Sequence, residues 1–568
     1  MNEICPEIPN EIQQNKFFLK TTGGRQLAKI ILVIGLCLTV YVPAMRAGFA
    51  WDDDAMLVHN LVLRENGLYK CWFTTQQSNY WPITWTSYWL ENKLWGLRPG
   101  GYHITNIFIH IICSLLVWYI LVRLKVPAAF AAAIIFAVHP VNVESVAWIT
   151  QRKTILAMMF FLLSLLCYLR FDSNGRKYFY LPAVALFAAA MLSKGSVAAA
   201  PVVILLCVWW LREKITKKDI LRSVPFFAVS AVMSVVEIWF QYFRAMGQSE
   251  VRGDSFSARL AGAGAAVWFY VYKAIFPTGL IIVYPRWAID PACWAWYVPV
   301  VMLAGVFLAG WRRRHSWGRG LLFAAGYYAV MLAPMLGFFD IYFMRYSFVA
   351  DHYQYSSIAG LTGFAAAVCY SFFSRFGIRG VNFAKAVLVL VLLIFSALSW
   401  RQCHIYKDNE TLWTDMLQKR PGYWLAYNNL GYTYLELGRW KEATEAYKQE
   451  VKVRPDDAEA YCNLGFAYRQ MGRQAEAIEA YEQAGKVGSD NAEVYNNIGV
   501  AYSETGQQTK AIEAFKHAIK ISPDFAEAHL NLGFAYLGIG DNASAEKQYE
   551  ILKRLNPGFA DKLGPVGK

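Results

Sequence analysis

Phe49-Ala50-Trp51-Asp52-Asp53-Asp54 places three adjacent carboxylates directly after the first long apolar run of the chain. Carboxylates accept protons, and neighbours raise one another's proton affinity, so an Asp52–Asp53 pair titrates as a unit. Each would cost about 2.5–3.5 kcal/mol inside hydrocarbon, so all three meet water at a membrane surface. Successive residues point in different directions, so at most two of them face a common site. The alternative is an acidic turn that caps the next element, a common use of Asp. A divalent cation between the two carboxylates is allowed by these residues but not called for.

Other chemistry-bearing residues stand at the ends of apolar runs: His139, Glu144, Arg152, Lys153, Lys194, Arg345 and Asp351-His352. In the topology below all fall on the side of the membrane that holds Asp52, although that topology was itself set by charge and parity. Each has a plainer reading. Lys194 can snorkel at a span end, Glu144 and Arg152 can pair across two turns, and His139 can cap the helix that Pro140 starts. Asp351 is a good N-cap. No phosphate-cradling glycine loop, GxSxG or HExxH motif occurs in the chain.

The elements that must position these residues follow from composition. The 568 residues are 56% hydrophobic and 16% aromatic with 21 Trp, too apolar for one soluble protein, while the last third is ordinarily polar. Two regions in different solvents are implied. The formal charge of +14 lies largely in Lys/Arg clusters between apolar runs, as in cytoplasmic loops, and does not imply nucleic acid. Ten scattered Cys without CxxC or Cys/His spacing suggest neither zinc nor a disulfide framework.

The polar segment 1–26 carries Lys16, Lys20 and Arg25 and is placed in the cytoplasm. Residues 27–45 are long enough to span and form an uncleaved anchor. The loop 46–101 is then external, and its Trp and Tyr residues predict short helices lying on the outer surface. Further spans are expected at 104–122, 128–138, 155–171, 178–192, 197–211, 224–243, 294–311, 321–339, 358–373 and 388–400. Proline disfavours helix at the preceding residue, so the chain breaks at His139. A new helix then carries Glu144, Trp148 and Arg152 on one face. Residues 261–283 contain Lys273 and Pro277 and are taken as an external or re-entrant helix, because a full span there puts Arg312-Arg313-Arg314 outside. The count is eleven spans with the C-terminus outside, or twelve with it inside.

Asn-Leu/Ile-Gly recurs at Asn429, Asn463, Asn497 and Asn531, a step of 34 residues, with Tyr434, Tyr468, Tyr502 and Tyr536 and then Ala443, Ala477, Ala511 and Ala545 in register. This is the tetratricopeptide (TPR) signature, a stacked helix pair per repeat. Trp413 and Pro421 extend the register backward into a half-repeat, and the last span is expected to run directly into the solenoid as a helix. The predicted organisation is a cytoplasmic segment 1–26, a multi-pass unit 27–400, a helical connector 401–423, four TPRs over 424–559 and a tail 560–568. The fold class is all-α.

Trp51-Asp52-Asp53, Trp81-Pro82-Ile83-Thr84, Leu94-Trp95-Gly96-Leu97, Gly101-Tyr102-His103, Val138-His139-Pro140 through Glu144-Ser145-Val146-Ala147-Trp148 to Arg152-Lys153, and Ala350-Asp351-His352-Tyr353 closely resemble the transmembrane-and-TPR glycosyltransferases. That family has the polytopic GT-C fold and includes O-mannosyltransferases and bacterial relatives. The resemblance implies a polyprenyl-phosphate-linked sugar as donor and a Ser/Thr hydroxyl of a translocated protein as acceptor, in a bacterial inner membrane or an endoplasmic reticulum membrane. It implies Asp52 as the base with Asp53 in support. Arg152 and Lys194 would hold the leaving phosphate, with His139, Glu144, Asp351 and His352 as further donor or substrate contacts. The TPR tail would bind the acceptor polypeptide, and no cofactor is required. Many relatives read Glu-Arg-Lys-Asp where this chain has Gln151-Arg152-Lys153-Thr154, and Asp-Arg-Tyr where it has Asp351-His352-Tyr353; a histidine is charged only part of the time near neutral pH.

Two other classes compete. A non-enzymatic membrane-anchored TPR scaffold explains the tail but leaves the external charges idle. A transporter would bury charges at mid-membrane, often in two repeated halves, and the spans show no internal repeat.

Overall fold

The computed structural model describes residues 23–64, 67–247, 251–488 and 490–565. The expected cytoplasmic segment therefore lies largely outside the described residues, as does the end of the expected tail. Among the described residues every regular element is helical. The chain divides into two compact units, Met1–Asp408 and Asn409–Lys568.

In the first unit seven helices are long and apolar enough to cross a membrane: Gly24–Met45, Pro99–Arg123, Ile149–Ser173, Gly195–Arg212, Lys217–Ala245, Trp294–Arg312 and Ile358–His404. The pair Ala129–Val138 and Pro140–Ala147, bent by 51°, makes an eighth if it is one span. The expected eleven are reached only by counting shorter helices. Tyr180–Ser193 has 14 residues, Gly318–Leu332 has 15 and Ala129–Val138 has 10, while Ile358–His404 divides into Ile358–Phe373 and Gly377–His404. The segment of uncertain placement contains one 20-residue helix, Phe256–Ile275. Lys273 folds back at its end to donate to the carbonyls of Thr278 (2.7 Å) and Gly279 (3.3 Å). Its Gly264 admits Val300, whose Cγ2 would stand 2.5 Å from a Cβ at that position.

Two local expectations are corrected. Short helices do occupy the loop expected to be external, at Leu61–Arg64, Gly67–Phe73 and Pro82–Trp95. Several of its rings, however, pack inside the protein instead of facing lipid. Trp81, Trp85, Tyr88 and Tyr102 are buried with Leu57 and Ile149 in one cluster, because so many aromatics gain more by covering one another than by scattering. The second correction concerns Glu144, Trp148 and Arg152. They do not share one helix, since Val143–Ala147 ends at an extended Trp148, a single 3-10 turn follows at Ile149–Gln151, and α-helix resumes at Arg152. The three side chains therefore diverge instead of aligning.

In the second unit the pairs are Trp424–Glu436 with Trp440–Val453, Ala458–Gln470 with Gln474–Val487, Ala492–Glu504 with Gln508–Ile521, and Ala526–Gly538 with Asn542–Leu555. The repeated glycine has a steric reason. A Cβ at Gly431 would meet the Tyr447 ring at 2.6 Å, and at Gly499 the Phe515 ring at 2.5 Å. Helix Asn409–Lys419, with Trp413 buried, precedes the first pair, and Pro557–Leu563 follows the last. There Leu563 covers Gly533, an atypical terminal helix of the kind solenoids use as caps. The helix Gly377–His404 does not continue into the repeats; residues 405–408 separate it from the helix that starts at Asn409.

Candidate active site

The turn after the first apolar helix is held in an uncommon conformation. Trp51 has φ +50°, which a bulky residue adopts only when its surroundings impose it. Its indole stacks on Trp148 with centroids 5.3 Å apart and planes 9° from parallel. Trp148 Nε1 in turn donates to the Ala50 carbonyl at 3.1 Å. Asp53 completes the clamp: its Oδ2 accepts from Ala50 N at 3.0 Å and its Oδ1 from Thr150 N at 2.9 Å. Asp53 is fully buried and fixes the backbone, while Asp52 is half-buried and lines a cavity of about 930 Å³. The pair thus divides its labour, one carboxylate positioning and one exposed to the cavity. Burial raises the Asp52 carboxyl above its usual range, and the nearby Lys153 pulls it back. Burial pushes Asp53 up to about 7, opposed by the Ala50 and Thr150 N–H groups.

The same cavity is lined by Lys153, Lys194, Glu237, His352 and Tyr353, with Trp51, Trp81 and Trp148 as aromatic walls. Lys153 Nζ lies 4.8 Å from the Trp81 ring centroid. Lys194 stands just past helix Tyr180–Ser193, where its Nζ donates to Thr154 Oγ1 at 2.9 Å. Thr154 in turn donates to Gln151 Oε1 at 2.9 Å. Burial first, and Lys153 second, lower the Lys194 ammonium to about 7. A lysine placed there loses its charge readily.

His352 lies against Trp148 and Phe343. Its Nδ1 is 2.8 Å from Glu144 Oε1, and its backbone N donates to Glu144 Oε2 at 2.9 Å. Burial, with Lys194 and Lys153 adding to it, holds His352 well below the usual histidine range. The neutral ring meets Glu144 through Nδ1 and leaves Nε2 as its second hydrogen-bonding atom. His352 therefore enters the cavity as a hydrogen-bonding group rather than as a cation. Asp351, beside it, accepts from the Tyr284 hydroxyl at 3.1 and 3.0 Å and does not line the cavity.

Three further sequence-expected residues, Arg152, His139 and Arg345, are elsewhere. Arg152 is fully buried and ion-paired with Glu91. Its Nε donates to Asn106 Oδ1 at 2.8 Å and its Nη2 to the Tyr102 carbonyl at 2.7 Å, with Tyr88 under the guanidinium. Those partners engage all three of its nitrogens, and it does not line the cavity. The break at Trp148 turns Arg152 into the aromatic cluster and leaves Lys153 to face the cavity. His139 caps the turn after Pro140, accepting from Val141 N at 3.3 Å, and its Nε2 is 2.9 Å from the Ala274 carbonyl. It lines a separate apolar cavity of about 750 Å³. Its pKa is lowered to about 4 by burial, which keeps it neutral. Arg345 is exposed.

Glu237 had not been singled out in the sequence. The signal was present, since an ionisable side chain inside an apolar helix of spanning length marks a functional site by default. Among the described residues no group of three or more His, Cys, Asp or Glu comes together as metal ligands would.

Fold and site define a class: a multi-helix unit of membrane-spanning character around a cavity that carries Asp52, Lys153, Lys194, Glu237 and His352, joined in sequence to a TPR solenoid. Residues 82–240 match the family described as dolichyl-phosphate-mannose-protein mannosyltransferase, and residues 431–472, 467–506 and 502–540 match the TPR repeat. A Caenorhabditis elegans protein O-mannosyl-transferase is 22% identical over 466 residues, 77% of this chain and 64% of that protein. Two human protein O-mannosyl-transferases are 27% identical over 186 residues and 31% over 152 residues, covering 30% and 24% of this chain. The chain spans 64% of the length of the first of these relatives and 20% and 18% of the other two. The resemblance to transmembrane-and-TPR glycosyltransferases, first carried by the motifs, is thus shown in both parts of the chain.

Proposed function

We propose that this chain moves a sugar from a polyprenyl-phosphate-linked donor to a Ser or Thr hydroxyl of an exported protein, on the extracytoplasmic side of the membrane, with the TPR tail binding the acceptor. The supporting observation is one cavity that brings Asp52 together with Lys153 and Lys194. In the reaction the acceptor oxygen attacks the anomeric carbon and the carbon–oxygen bond to phosphate breaks. Asp52 takes the hydroxyl proton. Polyprenyl phosphate leaves with its charge held by the two ammonium groups. Lys153 takes the place that the sequence had suggested for Arg152, and His352 Nε2 offers a hydrogen-bonding atom to a substrate hydroxyl. Thr154 is a neutral hydrogen-bond partner for Lys194, and the carboxyl groups of Glu237 and Glu144 act on the ammonium from farther off without closing an ion pair with it. The direct test is transfer by purified protein in vesicles containing a polyprenyl-phosphate-linked mannose, followed by mass spectrometry of a Ser/Thr peptide. No modified peptide would overturn the proposal.

The cations give a pH dependence with a definite sign. Lys194 is charged below about 7, so donor binding is strongest there and weakens as pH rises through that value; the bound phosphate moves the loss upward. Asp52 must be ionised to take a proton, so the rate falls on the acid side, where its raised pKa places the limb above the ordinary carboxylate range. A bell-shaped profile of kcat/KM is expected. Lys194→Arg, charged throughout, should extend the alkaline side, and an unchanged alkaline limb in that variant would remove Lys194 from the donor site.

The repeats carry no catalytic constellation, and stacked helix pairs form a concave surface suited to an extended chain. Removing residues 424–568 should lower protein glycosylation at least tenfold while donor binding stays within about twofold, following the general scale on which linked modules gain from high local concentration. Loss of donor binding by the folded truncated protein would refute that division.

A further inference from the structure

The proposed transfer leaves Glu237 without a part. It sits near the end of helix Lys217–Phe240, within a run apolar enough to span, where an ionised side chain is expensive and is kept for a purpose. Both of its oxygens accept from the Trp81 indole, at 2.9 and 3.0 Å. Among the described residues no lysine or arginine closes an ion pair with it. Gly195 leaves it room, since a Cβ at that position would stand 3.3 Å from Glu237 Cγ. One helical turn on, Gln241 donates to Asn79 Oδ1, while its Oε1 accepts from Tyr342 N at 3.2 Å. Trp81, Asn79, Glu237 and Gln241 all line the cavity that holds Asp52 and the two lysines.

This group does not suit a phosphate. A carboxylate repels a second anion, and the amide side chains beside it are neutral. It suits a neutral ligand rich in hydroxyls, because carboxyl oxygens already oriented by one N–H can accept further hydrogen bonds and sugar hydroxyls donate them. The Trp81 N–H fixes the plane of the carboxylate and leaves its remaining lone pairs for a ligand.

We propose that Glu237, oriented by Trp81 and flanked by Gln241 and Asn79, receives the hydroxyls of the sugar being transferred and so determines which sugar the cavity accepts. The inference rests on the donor reading above and assigns it a sugar subsite separate from the phosphate subsite. Glu237 is a specificity residue here; the bond changes remain with Asp52 and the lysines. Because it binds by accepting from hydroxyls, a donor lacking the contacted hydroxyl should be strongly discriminated against, as a buried acceptor would be left unpaired.

The test measures full-length protein in detergent against two probes, dolichyl phosphate mannose and sugar-free dolichyl phosphate. Glu237→Gln, of the same shape and still able to accept from Trp81, should weaken binding of the mannosyl lipid by about 10- to 100-fold, the range for a hydrogen bond to a charged group. Binding of the sugar-free lipid should stay within about twofold. Trp81→Phe keeps the ring, removes the orienting N–H and should shift the same ratio in the same direction by less. An equal loss for both lipids would make Glu237 a partner of the lysines and overturn the assignment, as would an unchanged ratio in a folded variant. The underlying reading fails separately: absence of transfer by the unmodified protein would reject the donor, whereas wild-type transfer with an unchanged Glu237→Gln ratio rejects only the sugar subsite.

Discussion

Asp52→Asn protein, purified and returned to vesicles, is expected to transfer sugar about 10²- to 10⁴-fold more slowly than the parent, the usual loss on removing a general base. Donor binding should be nearly unchanged. The basis is the division between the two carboxylates. Asp53 is buried and engaged by Ala50 N and Thr150 N, so its oxygens hold the turn. Asp52 follows the strained, stacked Trp51 and lines the cavity with Lys153 and Lys194. Asn has nearly the same shape and can still cap a helix, so the substitution separates chemistry from capping. A purified Asp52→Asn protein that transfers at close to the parental rate would place the base elsewhere, with the Nε2 of His352 the next group to test. Asp53→Asn, by contrast, should act on folding of the turn more than on the chemical step.

Arg152→Ala should unfold the membrane unit rather than empty the donor site. Arg152 and Glu91 form a buried ion pair, and Arg152 also holds Asn106 and the Tyr102 carbonyl. Removing one partner of such a pair costs about 3–5 kcal/mol, because the other charge is left buried without compensation. That loss is comparable with much of the stability of a domain, so the variant should show a lowered melting temperature and aggregated material on size-exclusion chromatography. Pairing it with Glu91→Leu, which removes the stranded charge, should recover part of the folded yield. A stable, monodisperse Arg152→Ala protein that had lost donor binding would reinstate the arginine as a phosphate ligand. Lys194→Met makes the contrast: folded protein, weakened donor binding, and a rate loss on the scale of about 10²–10³ for a removed electrostatic contact.

These two expectations mark where sequence and structure part. The repeat region was legible in detail, because a 34-residue period fixes helix pairs, turn glycines and the packing alanines together. Ala443, Ala477, Ala511 and Ala545 are all fully buried, and the glycine of each Asn-Leu/Ile-Gly step faces a ring or Leu563 of a packed neighbour. The spans were legible as apolar runs, since hydrocarbon imposes length and composition on each segment separately. Trp51-Asp52-Asp53, Lys194 and His352 were legible as candidates because charges beside apolar runs need an explanation, whatever the packing.

Which of those charges share a cavity was decided only by tertiary structure. A four-residue spacing put Glu144 and Arg152 on one face of a helix, but the extended Trp148 separates them, so Glu144 backs His352 and Arg152 turns to Glu91. Pairing partners such as Glu91 and Arg152, or Trp81 and Glu237, lie 61 and 156 residues apart. No local periodicity encodes such pairs, because they depend on which helices pack together. Sequence by itself determined the solvent of each segment, the repeat and the cast of ionisable groups, since those follow from local composition and spacing. Only the fold decided which groups face the cavity and which saturate one another inside the protein, because desolvation makes each buried charge take the nearest partner that packing provides.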